Sequence, residues 1–374
     1  MFPLPRAMRR ATRLTRKGKP LAATSALQKA LSEALSGTTA KRPKPKRSAP
    51  SRARPSGKPA PKRATAPSGR KRQTPNAYTA PFTIPRPTTR ARVKRTAPAP
   101  LVAPGAQYVW RTHSGPHGTR RYRLYVPAKL PEGPRPLLVM LHGCTQGADD
   151  FARGTRALEA AERHGVLVAL PEQDRAANAM ACWNWFEPAH QDAGYGEPAV
   201  LLGIVRNITA KHAVDPRRVF VAGLSAGGAM AAVLGAVAPD TFAAIGVHSG
   251  LPYRSARDVS SAMKVMRSGA GRTPAIGPRA DAPRTFIVHG TADGTVSPRN
   301  ADRLFAAMGR GDAETERRGR VGITRLVQGG RIVAEDWRVA GLGHAWSGGA
   351  PGASYTDPDA PDVTDAMLRF FLRE

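Results

Sequence analysis

Gly223-Leu224-Ser225-Ala226-Gly227 is the stretch of sequence that decides the fold. It follows the strand-like run 218–222 and precedes the small-residue run 228–234, which is typical of a helix. A G-x-S-x-G sequence between a strand and a helix is the pattern of a nucleophile elbow, whose glycines let strand and helix approach closely. The pattern therefore predicts that Ser225 exposes its hydroxyl above a sheet and acts as a nucleophile.

Two downstream loops contain the partners that a serine nucleophile needs. Asp293 follows the apolar strand pattern 285–288, and His344 lies in the glycine-flanked loop 339–346. A serine hydroxyl needs an imidazole to take its proton, and the imidazole needs a carboxylate to fix its tautomer. Serine, acid, histidine is also the chain order of the α/β-hydrolases. We therefore predict a triad of Ser225, His344 as base and Asp293 as acid. Asp281 and Asp302, before a strand and within a helical pattern, are less well placed.

The segment His142-Gly143-Cys144-Thr145-Gln146 follows another predicted strand, 136–141. A loop of this kind can present a backbone amide to the oxyanion of an acyl-transfer intermediate. We expect the amide of Ala226 to be one donor and the amide of Cys144 or Thr145 to be the other. The sequence does not choose between these two. His142 is expected to orient the loop rather than to act as a base.

The chain contains two cysteines, Cys144 in this loop and Cys182 in the aromatic-rich stretch 181–186. If bonded, they would tether the two segments and indicate an oxidising compartment. If reduced, they would be two small buried side chains. The chain has no C-x-x-C spacing, so no metal site is predicted. No cofactor is expected either.

Three tryptophans near these motifs are candidates for an apolar substrate cleft: Trp183, Trp185 and Trp346. Tryptophan buries a large apolar area and keeps one hydrogen-bond donor. Trp183 and Trp185 fit equally well in the cleft wall or beneath it. Trp346 follows His344 by two residues, which favours a position in the cleft.

Six stretches together carry a family resemblance: Leu141-His142-Gly143-Cys144-Thr145-Gln146, Cys182-Trp183-Asn184-Trp185, Gly223-Leu224-Ser225-Ala226-Gly227-Gly228, Val247-His248-Ser249-Gly250, His289-Gly290-Thr291-Ala292-Asp293 and Gly343-His344-Ala345-Trp346-Ser347-Gly348-Gly349. From about residue 118 onward, the chain resembles the polyhydroxybutyrate (PHB) depolymerase family of esterases, which is related to feruloyl and acetylxylan esterases. The resemblance implies the triad Ser225, Asp293 and His344, a disulfide between Cys144 and Cys182, and hydrolysis of hydroxyalkanoate esters. Fold-level analogy does not fix the substrate.

Strand and helix patterns alternate over residues 106–374, a length sufficient for one substantial core. Predicted strands cover an edge strand at 121–126, the elbow strand, and 136–141, 166–170, 243–247 and 285–288. A β-hairpin is predicted over 323–339, turning at Gly329-Gly330. Predicted helices cover 155–164, 198–212 and 364–372, and residues 253–281 are expected to be irregular. The pattern predicts an α/β-hydrolase fold, with a mostly parallel central sheet and helices on both faces.

The charge of the chain is concentrated before residue 106. Residues 1–100 contain 26 Lys and Arg and a single acid, Glu33, and so account for +25 of the total charge of +31. Residues 37–105 are rich in Pro, Ala, Lys and Arg, which predicts a disordered linker. Residues 1–36 show interrupted helical spacing and are expected to form a short helical segment. The basic tail, residues 1–105, is either a solvated linker or a non-specific contact for polyanions or a granule surface.

Different features of the sequence predict different cellular compartments. No secretory signal is expected, because the N-terminal residues lack a continuous apolar stretch followed by a cleavage site. No transmembrane segment is expected, because no run of about 18 apolar residues occurs. The family resemblance and the cysteine pair indicate an extracellular protein, whereas the N-terminal residues favour a cytoplasmic or granule-associated one.

Three functional hypotheses follow. The first is a serine carboxylic-ester hydrolase that acts on polymeric or oligomeric hydroxyalkanoate esters through an acyl-enzyme. The second is a feruloyl or acetyl esterase that acts on polysaccharide. The third, from another class, is a polyanion- or granule-binding adaptor whose hydrolase domain is idle. The intact set of catalytic residue types argues against the adaptor.

Overall fold

The structure, a computed structural model, describes residues 99–271 and 282–373. The predicted helical segment at residues 1–36, the predicted linker up to residue 98, and Asp281 therefore lie outside the described residues. Within the described ranges, the first strand begins at Gln107, close to the predicted start of the hydrolase domain at residue 106.

A ten-stranded sheet forms the centre of the described region, in the order β1-β2-β4-β3-β5-β6-β7-β10-β9-β8. Its strands are β1 (Gln107–Gly115), β2 (Gly118–Val126), β3 (Arg135–Leu141), β4 (Leu167–Pro171), β5 (Val214–Leu224), β6 (Ala244–His248), β7 (Arg284–Gly290), β8 (Asp312–Arg318), β9 (Val321–Gln328) and β10 (Arg331–Val339). The six strands from β4 to β10 in this order are parallel, and antiparallel strands extend both ends. The mostly parallel sheet confirms the predicted fold class.

Helices cover both faces of the sheet. They are α1 (Ala148–Thr155), α2 (Ala157–His164), α3 (Gly196–Lys211), α4 (Ala226–Val237), α5 (Val259–Ser268), α6 (Arg299–Ala306) and α7 (Val363–Leu372). Along β5, Val219 and Val221 share one apolar core with α3 and α4, whereas Phe220 and Ala222 share the other with α1, α2 and α7. Successive side chains of a strand point to opposite faces, so a strand covered on both sides is apolar throughout. This is why the central strands were predictable.

The structure refines three local predictions. The predicted helix at 155–164 is confirmed as α2, which begins at Ala157, and an unpredicted helix, α1, precedes it and ends where Arg156 adopts a left-handed conformation (φ 54°). The predicted edge strand is β2, and the true edge on that side is β1, which pairs with β2 along its length. The expected irregular segment 253–281 contains α5, which begins with a capping box between Asp258 and Ser261.

At the opposite edge lies β8, which the sequence analysis did not predict. Its sequence, Asp312-Ala313-Glu314-Thr315-Glu316-Arg317-Arg318, is almost entirely charged or polar, and most of its residues are exposed. An edge strand of this kind carries no apolar alternation that could be recognised.

Gly227→Ala is expected to lower the free energy of unfolding by about 3 kcal/mol or more, because overpacking here meets backbone. A Cβ at Gly227 would lie 2.0 Å from the carbonyl oxygen of Leu141. The matched control is Gly322→Ala in β9, where a Cβ meets nothing within 4 Å. This control should change the free energy by no more than about 1 kcal/mol. Urea unfolding of both variants tests the expectation, and equal stabilities would contradict it.

Candidate active site

The candidate residues meet at one edge of the sheet because the strands that carry them are parallel. Leu224, His248 and Val288 are in register at the ends of β5, β6 and β7. The backbone N–H of Ser225 donates to the carbonyl of His248 at 2.9 Å, which holds the turn after β5 against the end of β6. Carboxyl ends of parallel strands are where open α/β sheets build their sites.

Ser225 occupies a strained backbone conformation, with φ 58° and ψ −117°, directly before α4. Residues other than glycine rarely adopt a positive φ, and such strain is often found at functional sites. A Cβ at Gly223 would lie 2.4 Å from the backbone of Gly227, so the strand and the helix touch across the serine. This is the elbow geometry that the G-x-S-x-G sequence predicts. The Ser225 side chain is partly exposed.

Asp293 and His344 lie together although 51 residues separate them. His344 Nδ1 and Asp293 Oδ2 are 2.8 Å apart, and both side chains are buried. Because a carboxylate only accepts, Nδ1 donates, and Nε2 is left as the acceptor of this ring. Among the described residues, no hydrogen bond joins the Ser225 hydroxyl to His344. In structures without substrate, the bond between nucleophile and base is often long.

The carboxylate of Asp293 is held ionised by its neighbours. Burial would raise its pKa, but hydrogen bonds from His289 and His344, and the charges of these rings, lower the pKa below its usual range. The second oxygen, Oδ1, accepts hydrogen bonds from the backbone N–H groups of Thr295 and Val296, both at 2.9 Å. An ionised, fully bonded carboxylate is suited to orient a histidine.

His289 is a residue of this site to which the sequence analysis gave no role. It is fully buried, and its Nε2 lies 2.9 Å from the carbonyl of Val296 and 3.3 Å from Asp293 Oδ2. It thus contacts the same carboxylate oxygen as His344. The signal in the sequence was the four-residue spacing between His289 and Asp293 immediately after a strand.

Hydrogen bonds of the loop after β3 distinguish between Cys144 and Thr145, the two alternatives for the second oxyanion donor. The Thr145 N–H donates to the carbonyl of Met180 at 2.7 Å, so Thr145 is excluded as a free donor, and that part of the prediction is wrong. The N–H groups of Cys144 and Ala226 donate to no acceptor within the described ranges. Ala226 is the first residue of α4, and the first N–H groups of a helix have no acceptors within the helix. These two amides are the remaining candidate pair.

Buried polar contacts hold this loop in place. His142 is fully buried, with Nδ1 2.8 Å from the carbonyl of Gly143 and Nε2 accepting from the N–H of Gln173 at 3.0 Å. Both ring nitrogens are therefore occupied, as expected for a residue that orients the loop. Gln146, another residue without a predicted role, accepts from the N–H of Gly143 and donates to Ser354 Oγ.

A disulfide joins Cys144 to Cys182 and confirms the predicted pairing. It fastens the loop after β3 to the aromatic-rich segment that follows β4. Disulfides persist in oxidising compartments.

Replacing both Cys144 and Cys182 by serine is expected to lower the free energy of unfolding by about 4 kcal/mol, the loop-closure value for a separation of 38 residues. Because Cys144 carries a candidate oxyanion amide, kcat should fall more than KM rises. Guanidinium unfolding and steady-state kinetics measure the two effects. Dithiothreitol should reproduce the loss in the wild type and leave the double variant unaffected, and a wild type insensitive to reductant would contradict the argument.

The tryptophans do not form the expected cleft. Trp183, Trp185 and Trp346 have 0%, 5% and 1% of their surface exposed. Trp346 packs between Phe151 and His248 and donates to Thr364 Oγ1, so its predicted place in a substrate cleft is wrong. Trp183 donates to the carbonyl of His142 at 3.1 Å and lies beneath the loop, which is the alternative that the sequence left open. Trp185 packs against Phe186.

His248 lies under the site as a neutral ring. Burial, together with the charges of His289 and His344, lowers its pKa to about 3. Its Nε2 accepts from the N–H of Ser347 at 3.1 Å, and its ring stacks on Trp346. A neutral His248 therefore links the end of β6 to the loop that carries His344.

This buried ring predicts a pH dependence of stability. The unfolded chain gains a proton at His248 below about pH 6.5, whereas the folded chain does so only near pH 3. Stability is therefore full above pH 6.5 and declines as pH falls toward 3, by up to about 1.4 kcal/mol per unit. His248→Gln should show a shallower decline in urea unfolding between pH 7 and 4. The exposed His117→Gln is the control and should follow the wild type, and an unchanged slope in His248→Gln would contradict the assignment.

Within residues 99–271 and 282–373, no group of three or more His, Cys, Asp and Glu residues is arranged to hold a metal ion. None of the described helices is both long and apolar enough to cross a membrane.

Comparison with known proteins relates the chain to esterases. Residues 120–326 match the family described as "Esterase PHB depolymerase", a match that covers more than half of the chain. The poly(3-hydroxyalkanoate) depolymerase C of Paucimonas lemoignei is 39% identical over 187 residues, which are 47% of this chain and 44% of that protein. Feruloyl esterase B of Neurospora crassa is 29% identical over 286 residues, which are 71% of this chain and 91% of that protein.

The fold is also found in a solved structure. An acetyl xylan esterase from Aspergillus awamori aligns with a TM-score of 0.56 at 21% identity, over 71% of this chain and 98% of that one. This likeness shows the fold. The chain spans about half the length of the first curated depolymerases that it matches.

Proposed function

The chain belongs to the esterase PHB depolymerase family, and we propose that it is a serine carboxylic-ester hydrolase that cleaves polyhydroxybutyrate or short-chain hydroxyalkanoate esters. The observation that carries this proposal is the buried pair of His344 and Asp293 at the same sheet edge as the strained Ser225 elbow. We assign the hydrolase domain to residues 106–374, which follow the basic segment 1–105 in the sequence.

The mechanism starts at the Ser225 hydroxyl. Its oxygen attacks the ester carbonyl while His344 Nε2 takes the proton, and Asp293 stabilises the imidazolium that forms. The negative oxygen of the tetrahedral intermediate is stabilised by the N–H groups of Cys144 and Ala226. His344 returns the proton to the leaving alcohol, which leaves an acyl-enzyme. Water then attacks the carbonyl of the acyl-enzyme while His344 takes a proton from it. The proton passes to Ser225 as the acid is released, which restores the free hydroxyl. These groups suffice for the reaction without a cofactor.

A feruloyl or acetyl esterase acting on polysaccharide is the second candidate. It is favoured by the relative named feruloyl esterase B, of which the chain covers 91%. The same triad would serve both reactions, so the difference lies in the acyl group and the alcohol that the loops accept.

The discriminating experiment compares substrates on one preparation of the full chain. Release of 3-hydroxybutyrate from amorphous PHB is measured beside hydrolysis of methyl ferulate, acetylated xylan and a short-chain aryl ester. The depolymerase proposal expects release of 3-hydroxybutyrate at a rate above that on the two polysaccharide-type substrates. Hydrolysis of ferulate or acetylxylan without release from PHB would transfer the assignment to the second candidate.

We also propose that the protein works in an extracellular setting and that the basic tail contacts anionic surfaces. The disulfide supports the setting, because such bonds persist under oxidising conditions. The charge of residues 1–100, +25, supports a salt-sensitive and sequence-independent contact. Deleting residues 1–105 tests both this contact and the adaptor hypothesis. The truncated chain should keep turnover of soluble esters and lose retention on heparin or polyphosphate, whereas an adaptor would have no turnover to keep.

A further inference from the structure

Arg120, on β2, is a buried arginine without a hydrogen-bonded partner. It is 8% exposed, and its buried Nε and Nη1 have no hydrogen-bond partner within residues 99–271 and 282–373. Its guanidinium lies 5.8 Å from the centre of the Trp183 ring. Glu197, the carboxylate with the largest influence on it, already accepts hydrogen bonds from Gln173 and Asn184. A charge that is buried without a paired partner lowers the stability of the fold. The position of Arg120 is therefore better explained by a role in binding than by a role in stability.

Arg120 is one of the residues that line a cavity of about 690 Å³. The wall contains two other arginines, Arg121 and Arg175, and two acids, Glu172 and Asp174. Arg121 and Glu172 neutralise each other through an ion pair of 2.5 Å. The remaining charged groups are two guanidinium groups and one carboxylate, so the cavity has a net positive charge that fits a single anion.

We propose that this cavity binds the carboxylate of a short hydroxy acid, with Arg120 as the anchor. A planar guanidinium with free N–H donors matches the two oxygens of a carboxylate. Thr112, Thr119 and Thr145 also line the cavity, and the hydroxyl of Thr112 is a candidate partner for the hydroxyl of the ligand. A pocket of this size exceeds what a four-carbon acid needs and accepts a chain of several units.

The site rests on the proposed function for the identity of its ligand, because a hydroxy acid is the product of that reaction and the chain end of its substrate. Its position agrees with this role. Thr145 and Gln146 line the cavity, and they follow directly after Cys144, whose N–H is a candidate oxyanion donor. A bound acid would thus contact the same loop that stabilises the intermediate.

The test uses the full chain with Ser225→Ala, so that ligands are not turned over. (R)-3-hydroxybutyrate and its methyl ester are titrated by calorimetry into this protein and into versions that also carry Arg120→Met, Arg120→Lys or Arg111→Met. Arg120→Met should weaken binding of the acid by about ten- to hundredfold, the range for a hydrogen bond to a charged group. It should leave binding of the ester, which is weaker from the start, unchanged.

The other variants separate the site from simple charge. Arg120→Lys keeps the charge without the planar fork and should bind the acid with intermediate affinity. Arg111, on β1, is exposed, and Arg111→Met removes one positive charge outside the cavity, so its affinity should equal that of the parent. Equal affinity for acid and ester, or equal losses in Arg120→Met and Arg111→Met, would overturn the proposal. If Arg120→Met does not fold, failure of Arg120→Lys to weaken binding would overturn it equally.

Kinetics on the active enzyme distinguish the two sources of the carboxylate. A linear 3-hydroxybutyrate dimer is compared with its methyl ester. If the free acid has the lower KM and Arg120→Lys removes this difference, the site binds the chain end of the substrate. Equal KM values, with inhibition by 3-hydroxybutyrate that Arg120→Lys relieves, assign it to the product. Inactivity toward every ester would reject the proposed function, while the calorimetric result would still decide the binding site.

Discussion

Ser225→Ala is expected to lower kcat for a short-chain aryl ester by about a million-fold, to the residual rate that substrate binding and oxyanion donors support alone. Removing the hydroxyl eliminates the acyl-enzyme, and water must then attack directly. Release of 3-hydroxybutyrate from amorphous PHB should vanish in the same variant. The measurement is steady-state turnover on both substrates with a variant shown to be folded by circular dichroism.

Ser249→Ala is the matched control for this experiment. Ser249 follows β6 as Ser225 follows β5, and it also has a positive φ, but its hydroxyl is buried and lies 3.2 Å from His248 Nδ1. Its removal should cost less than about tenfold in kcat, since it leaves the elbow intact. Turnover by Ser225→Ala within tenfold of the wild type would show that the nucleophile lies elsewhere.

Asp293→Asn is expected to lower kcat by about ten thousand-fold, the loss seen when a triad acid becomes an amide. The amide can donate to His344 Nδ1, which would place the proton on Nε2 and prevent that nitrogen from accepting the serine proton. KM should change little, because the acid does not contact the substrate. The measurement is kcat and KM on the aryl ester.

Asp302→Asn provides the comparison for the acid. Asp302 is largely exposed, and it pairs with Arg338 at 2.9 Å rather than with a histidine. This exposed pair should contribute at most about 1 kcal/mol, and its loss should leave kcat within about twofold. A larger loss in Asp302→Asn than in Asp293→Asn would reverse the assignment of the acid.

Much of the fold was predictable because its central strands are covered on both faces. The apolar runs that end at Leu141, Leu224 and His248 follow from that burial, and the order of Ser225, Asp293 and His344 follows from parallel strands ending at one edge. The outer strands β1 and β8 lacked such a signal, because each has an exposed side and no continuous apolar run.

Some details of the site were not predicted, because they depend on the direction in which a backbone N–H group or a side chain points, which cannot be read from the sequence. Whether the amide of Cys144 or of Thr145 is free depends on how the backbone turns, and Thr145 has a φ of 70° that directs its N–H toward Met180. Trp346 is near His344 in sequence, but its side chain packs into the core beside Phe151. Arg120 lies in a strand rich in arginine, and only the packing around Trp183 distinguishes it from its neighbours.

The charged edge strand β8 has a consequence for how the protein behaves when it is crowded. An unpaired strand edge is a template on which a second chain can add a strand and begin aggregation. On β8, acidic residues at 312, 314 and 316 and arginines at 317 and 318 occupy this edge, and charged side chains along an exposed edge hinder the addition of a further strand. At high local concentration, this edge would keep neighbouring copies dispersed as separate molecules.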